Sequence, residues 1–422
     1  MRNLKPLVWL SAIVLIVVVI VVTACTPKDS GSTGDTTGST GTTYADGATS
    51  INLPDPNEYG VIPSDAYKDI YPDIYSTFME NQNNSDNPSY LDQYPFLKTL
   101  YSGNGFAKDY NEARGHTYTL TDVAATQRAH PTANCLTCKS PEMTALVQSK
   151  GISVYSMDFD EVYAMLQEPI GCYNCHANSG DGELVVSADY LLNALGSDIN
   201  TINMDDAVCG QCHVTYYMDP DTKATTLPWS GLSSMDPDDM LAYYDSIGFS
   251  DFTNDISGAG MIKVRHPEME TVTGPGNLMQ SMGGWNCSTC HMGTATNSDG
   301  VEYPNHYLQS PLQNADLISS TCSGCHTDLV SEVQTIQKNT IARFNTIGNK
   351  LADLHTKIGA AAANGMADDE LAALRKDVRD AQFYFDFVFV ENSDGAHNSA
   401  LAKHCLDKAE QITDDALAQL AA

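Results

Sequence analysis

Ten of the twelve cysteines fall into five C-x-x-C pairs, and four pairs are followed at once by histidine: "CYNCH" from Cys172, "CGQCH" from Cys209, "CSTCH" from Cys287 and "CSGCH" from Cys322. The fifth, "CLTCK" from Cys135, ends in Lys139. Two nearby thiols can add to the two vinyl groups of one porphyrin, and an imidazole directly after the second thiol then reaches the iron's axial site; this is the haem c attachment motif. Zinc ribbons and redox dithiols also use C-x-x-C, but neither needs histidine at the next position. Four such histidines in five pairs therefore identify covalent haem. The attachment thiols are Cys135/Cys138, Cys172/Cys175, Cys209/Cys212, Cys287/Cys290 and Cys322/Cys325, and the proximal ligands are Lys139, His176, His213, His291 and His326.

A haem with histidine on both faces has both axial sites filled, which suits electron transfer and excludes substrate. A catalyst needs one haem with an open face, and Lys139 marks the haem that differs. A lysine amine binds iron only when neutral, so its pKa must fall; burial and the metal itself both drive it down.

One C-x-x-C-K followed by four C-x-x-C-H sites, in this order, resembles the ammonia-forming pentahaem cytochrome c nitrite reductases over a span from about Tyr110 to the C-terminus. The resemblance implies five haems c, with nitrite reduced to ammonium by six electrons at the lysine-ligated haem while the other four relay electrons. Hydroxylamine and sulfite are side substrates by the same token. It also implies a distal pocket of Arg128 in "TQRAHP", Tyr216 in "CHVTYY" and His266 in "KVRHPE". Guanidinium and imidazolium groups can hold an anion and supply protons as N–O bonds break, with a phenol in hydrogen-bonding range. Without the resemblance, Arg128 and Tyr216 read as surface or packing residues. Distal haem ligands carry over as His306 ("YPNHY") for the haem at Cys172, His116 ("RGHTY") for Cys209 and His397 ("GAHNS") for Cys287. His355, His404 and His130 read as packing or exposed residues.

Two departures stand out. Many members of that family bind calcium through a glutamate just before the pocket tyrosine and a glutamine just before the pocket histidine; here those positions are Thr215 and Arg265. A calcium ion with one carboxylate carries the net charge of one arginine, so the swap is expected to preserve the field at the pocket, and no calcium is expected. This resembles the subgroup in which arginine replaces the ion. Second, "TGPGNLMQSMGGWNC" holds no histidine to serve as distal ligand of the haem at Cys322. Met279 or Met282 is the candidate, and thioether ligation raises a haem's potential; flexible core filler is the alternative role.

The elements that must position these groups are mainly helical. Gly, Pro, Asn and Asp are frequent between Leu53 and His326, with no long alternating run, which predicts short helices and loops wrapped around haems as the core, and little β-structure. Beyond His326, Phe344, Ile347, Leu351, Leu354 and Ile358, then Leu371, Leu374, Val378, Ala381, Phe385 and Val388, recur at steps of three and four, separated by "AANGM". A third helix, roughly Asn398 to Leu420, carries Leu401, Cys405, Ile412 and Ala416 on one stripe. The stripes suit either a helix-on-helix homodimer contact or packing within the chain.

Arg2 and Lys5 precede an apolar run from Leu7 to Val22 that stops at "VTAC". This predicts a lipoprotein signal over 1–24 with Cys25 as the lipidated residue; the alternative is an uncleaved anchor helix. Residues 25–52 form a Gly/Ser/Thr-rich tether, 53–326 the pentahaem-binding catalytic region and 327–422 the long-helix region. The chain is thus placed outside the cytoplasm, tethered to a membrane. Its 53 acidic against 22 basic residues, a formal charge of -31, argue against nucleic acid and suit a basic, quinol-linked membrane cytochrome as electron donor. Two other functions fit the motifs: a non-catalytic multihaem conduit with its fifth haem closed, or a related reductase of another oxyanion or sulfur compound.

Overall fold

The structure is a computed structural model that describes residues 53–129, 132–276 and 284–421. Cys25, His130, Met279 and Met282 lie outside the described residues, as do the signal and almost all of the tether. Three long helices, α1 (Leu329–Ala363), α2 (Asp368–Phe389) and α3 (Ser399–Ala421), close the chain. The first two bury every residue of the apolar stripes expected of them. On α3 the buried face runs through Ala402, Cys405, Leu406, Ala409, Thr413 and Ala416, while Leu401 and Ile412 sit at its partly buried margin. Cys405 is fully enclosed, a small apolar residue in a helix seam. No helix among the described residues is long and apolar enough to cross a membrane.

The three stripes are filled from within the chain. They join one apolar core that continues into Leu97, Leu100, Tyr101, Met261 and Val264 of the haem-motif region, so the long helices act as the wall against which that region folds. Gly348 lets the contact close: a Cβ there would stand 2.4 Å from the Phe96 ring. Arg343 to Asp407 (2.8 Å) and Glu410 (3.2 Å), and Lys350 to Glu410 and Asp414 (both 2.9 Å), lace α1 to α3 at the surface. Such exposed pairs each contribute little; burial of the stripes carries the packing.

Before α1 the chain is short helices and loops. A proline opens Pro141–Lys150, just after Lys139, and Gly151 at φ 77° ends it. The Cys287–His291 helix is itself a haem motif, capped by Asn286, whose side chain accepts from the Thr289 N–H. Strands among the described residues amount to three antiparallel ribbons: β1 (Tyr217–Met218) with β2 (Thr225–Thr226), β3 (Phe252–Thr253) with β4 (Gly260–Met261), and β5 (Thr294–Thr296) with β6 (Glu302–Pro304). β1 begins directly after Tyr216, and β4 feeds the segment that carries Lys263, Arg265 and His266.

Candidate active site

Arg265 ties those two segments together. Its guanidinium donates to the Lys263 carbonyl (2.8 Å), reaches the Tyr216 carbonyl at 3.5 Å, and pairs with Asp251 at 2.9 Å. The other Asp251 oxygen accepts from the Lys263 N–H at 2.8 Å. Both partners are nearly enclosed, at 13% and 9% side-chain exposure. Burial alone would lower the guanidinium's pKa, but Asp251 and Tyr216 reverse that and raise it, so Arg265 is a permanent cation. The comparison of Arg265 with a calcium–glutamate pair leaves out Asp251, which offsets its charge locally. What Arg265 supplies is anchorage of two backbone carbonyls.

His266, the next residue, has φ 47°, a left-handed conformation that a non-glycine residue holds only under constraint. Its ring faces that of His213, centres 6.0 Å apart. Glu268 Oε1 lies 3.8 Å from Nδ1 of both histidines, and His266 Nδ1 is buried with no hydrogen-bond partner among the described residues. Burial pushes the Glu268 pKa up, and the two imidazoles outweigh it, holding the carboxyl well below its usual range.

Arg128 and Tyr216 meet near the C-x-x-C-K motif. The Arg128 guanidinium lies 4.3 Å from the centre of the Phe106 ring, and burial lowers its pKa. Arg265 lies 5.5 Å from the Tyr216 ring centre, and burial drives the Tyr216 phenol up to about 12, so it stays protonated. Burial raises the Cys135 pKa, while Arg128, Arg265 and Lys139 all pull it down, which places three cations around that attachment thiol. The Lys139 carbonyl accepts from Thr119 Oγ1 at 2.9 Å, and its N–H reaches the Leu136 carbonyl at 3.1 Å.

Three histidine pairs named from the sequence are brought face to face: His176 with His306 at 6.2 Å between ring centres, His116 with His213 at 6.3 Å, and His291 with His397 at 5.8 Å. An iron about 2 Å from a nitrogen of each ring, with each ring centre about 1.1 Å beyond that nitrogen, needs centres roughly 6.2 Å apart. Moreover, Nδ1 of His176, His306 and His291 already meets the carbonyls of Gly182, Pro304 and Gln309, at 2.9, 3.0 and 3.0 Å. Their Nε2 atoms are left for the facing ring's side, and these residues fit haem c. Cys138 hydrogen-bonds Cys212 and Cys209 hydrogen-bonds Cys287; Cys175 also adjoins Cys209, and Cys290 adjoins Cys322. The Cys209 motif is therefore a hub that touches three of the other four.

One attachment thiol departs from the expectation. Cys325 is disulfide-bonded, whereas the other nine cysteines of the five motifs are free. A sulfur already joined to another sulfur has no thiol to add to a vinyl group, so in this state Cys325 is not a haem attachment atom, and its motif offers only the buried Cys322 thiol. Disulfide and thioether are alternative fates of one thiol, and C-x-x-C spacing reveals the thiol without revealing which fate it has met.

Sequence reasoning missed Asp251, Lys263, Glu268, Glu270 and Glu391. Lys263 is 2% exposed; it donates to the Val264 carbonyl at 2.8 Å and lies over Tyr101, Phe106 and Tyr110, and burial lowers its pKa to about 8. No spacing rule singles out these residues, although Lys263 and Glu268 stand inside the quoted "KVRHPE". Behind Thr215, Glu270 accepts from the Thr215 N–H (2.8 Å) and from Trp229 Nε1 (2.7 Å), and burial raises its pKa to about 8. Because the folded state holds this proton more tightly than the unfolded chain, Glu270's contribution is full below about pH 4.5 and lost as pH rises through about 8. Glu270→Gln should therefore flatten the fall of the parent's unfolding temperature between about pH 5 and pH 8, read by circular dichroism; parallel curves would refute it.

A cytochrome c nitrite reductase catalytic subunit from Desulfovibrio desulfuricans ATCC 27774, a protein with two calcium sites, superposes with a TM-score of 0.74 at 27% identity, covering 85% of this chain and 86% of that one. The outer cell wall cytochrome OcwA (TM-score 0.41, 19% identity, 76% of this chain and 50% of that one) and an undecahaem cytochrome from the S-layer of Carboxydothermus ferrireducens (0.37, 18%, 72% and 41%) are more remote. The cytochrome c552 family model matches residues 63–422, and with its five C-x-x-C motifs and facing histidines this chain belongs to the cytochrome c552 family of multihaem c-type cytochromes.

Proposed function

We propose that this protein reduces nitrite to ammonium, taking up six electrons, at the haem attached through Cys135 and Cys138 and ligated by Lys139. The observation that carries this reading is the convergence of Arg128, Arg265 and Lys139 on Cys135, beside a buried, protonated Tyr216. When bound, that haem supplies an iron with one open face for the anion, and the four haems at Cys172, Cys209, Cys287 and Cys322 supply electrons. Attachment of the last of these through both sulfurs requires the Cys325 disulfide to be reduced first. Arg128 attracts and orients the anion, since an electrostatic contact gains strength in a site shut off from water. His266 moves protons toward the oxygens that leave, with Glu268 stabilising its charged form, and Tyr216 donates a hydrogen bond.

The facing pairs His176/His306, His213/His116 and His291/His397 are the proposed axial sets, with His326 on the fifth haem. Arg265 stands where the family's calcium would be, through its hold on the Tyr216 and Lys263 carbonyls. An acidic, lipid-anchored homodimer outside the cytoplasm, fed by a basic quinol-linked cytochrome, completes the reading.

The test is ammonium formation from nitrite by the purified holoprotein with reduced viologen, beside the Lys139→His variant. Rapid ammonium from the parent, falling about tenfold or more in the variant, is expected. A parent that reduces nothing and shows five low-spin haems would instead make the chain an electron conduit.

A further inference from the structure

Five of the histidines assigned to haem iron bond through Nδ1, and their partners are of two kinds. His176, His306 and His291 meet backbone carbonyls. His397 meets the Glu391 carboxylate, and His326 meets that of Glu332. Glu332 is 50% exposed, so water screens it; the Glu391 side chain is 3% exposed. The other Glu391 oxygen accepts from Ser393 Oγ at 2.5 Å, and that Oγ accepts from the His397 N–H at 3.0 Å. Carboxylate, hydroxyl and imidazole thus form a closed, buried set.

A carbonyl only accepts the Nδ1 hydrogen. A buried carboxylate pulls it toward itself and leaves negative charge on the ring, which makes Nε2 a stronger donor and favours ferric over ferrous iron. We propose that Glu391 is a tuning residue that acts through His397 to hold the reduction potential of the haem at Cys287 below the value a neutral partner would give. This rests on the axial assignment of His291 and His397 proposed above. The place matters, because Cys287 adjoins the hub at Cys209 on one side and its motif's second thiol, Cys290, adjoins Cys322 on the other. A lowered potential there makes the middle haem of that arm a threshold, which electrons from the Cys322 end cross only when the donor keeps that end well reduced.

The test uses the holoprotein in a spectroelectrochemical titration, with each ferric low-spin haem followed by electron paramagnetic resonance. In Glu391→Gln, one bis-imidazole haem should titrate at a higher potential and change its g-values, the others staying put. Ser393→Ala removes a donor from the carboxylate and leaves it more basic, so the same haem should move to lower potential. A merely structural role for Glu391 gives no such opposed pair of shifts. If Glu391→Gln does not assemble, the Ser393→Ala titration decides alone. Unchanged potentials in the variants obtained, or shifts spread over all five haems, overturn the proposal and leave the nitrite reading intact. Fewer than three bis-imidazole haems in the parent overturns the axial assignment and the tuning role together.

Discussion

His266→Asn should lower kcat for nitrite reduction by about 10²- to 10⁴-fold while leaving haem content and the low-spin spectrum unchanged. Asparagine is the informative replacement because the backbone at 266 has φ 47°. Asparagine tolerates the left-handed region far better than most residues, so the loop keeps its path while the titratable ring disappears. The effect should fall on kcat rather than KM, since Arg128, over Phe106, is assigned the anion's ground-state binding. Glu268 then faces His213 alone and loses one of the two imidazoles that depress its pKa. A variant that turns over within about threefold of the parent would remove His266 from proton delivery. Arg128→Leu offers the internal contrast, with KM expected to rise alongside any loss in kcat.

The haem sites were the most legible part of this chain, for a physical reason. Covalent attachment demands two thiols and a ligand within five consecutive residues, so the chemistry is local in sequence, and "CGQCH" or "CLTCK" can be read without a fold. The oxidation state of a sulfur is not local in that way: "CSGCH" reads like the other motifs, yet its Cys325 is disulfide-bonded. Long helices were legible for a similar reason to the motifs: Phe344, Ile347, Leu351 and Leu354 recur with the helix's own period, and all are buried. Pairing of His291 with His397 is different, because 106 residues separate them and only the family resemblance linked the two before their rings were found 5.8 Å apart. Asp251 and Glu391 were illegible altogether. A lone carboxylate in a chain with 53 of them carries no pattern, and its role exists only through the guanidinium or imidazole that folding brings to it. The role of Arg265 was read in advance as a matter of charge, and Asp251 shifts it to a matter of backbone anchorage.

Arg265→Gln should therefore both destabilise the protein and cripple the pocket, and the two losses should separate. Removing the guanidinium leaves Asp251, 9% exposed, with only the Lys263 N–H, and breaking a buried pair from one side costs about 3–5 kcal/mol. It also frees the Tyr216 and Lys263 carbonyls, and with them the backbone on either side of Tyr216 and His266. A displacement of about 1 Å in such groups can cost on the order of 10²-fold in turnover. Adding Asp251→Asn removes the orphaned charge, so the double variant should regain most of the unfolding temperature and none of the activity. Recovery of both would mean that Arg265 does no more than neutralise Asp251. The same geometry bears on calcium: chelator-washed parent should retain full activity with far less than one calcium per chain by elemental analysis. In Arg265→Gln alone, the Asp251 carboxylate and the two freed carbonyls become an all-oxygen set suited to that ion. Added calcium should then raise the unfolding temperature of the single variant and leave the parent and the double variant unmoved.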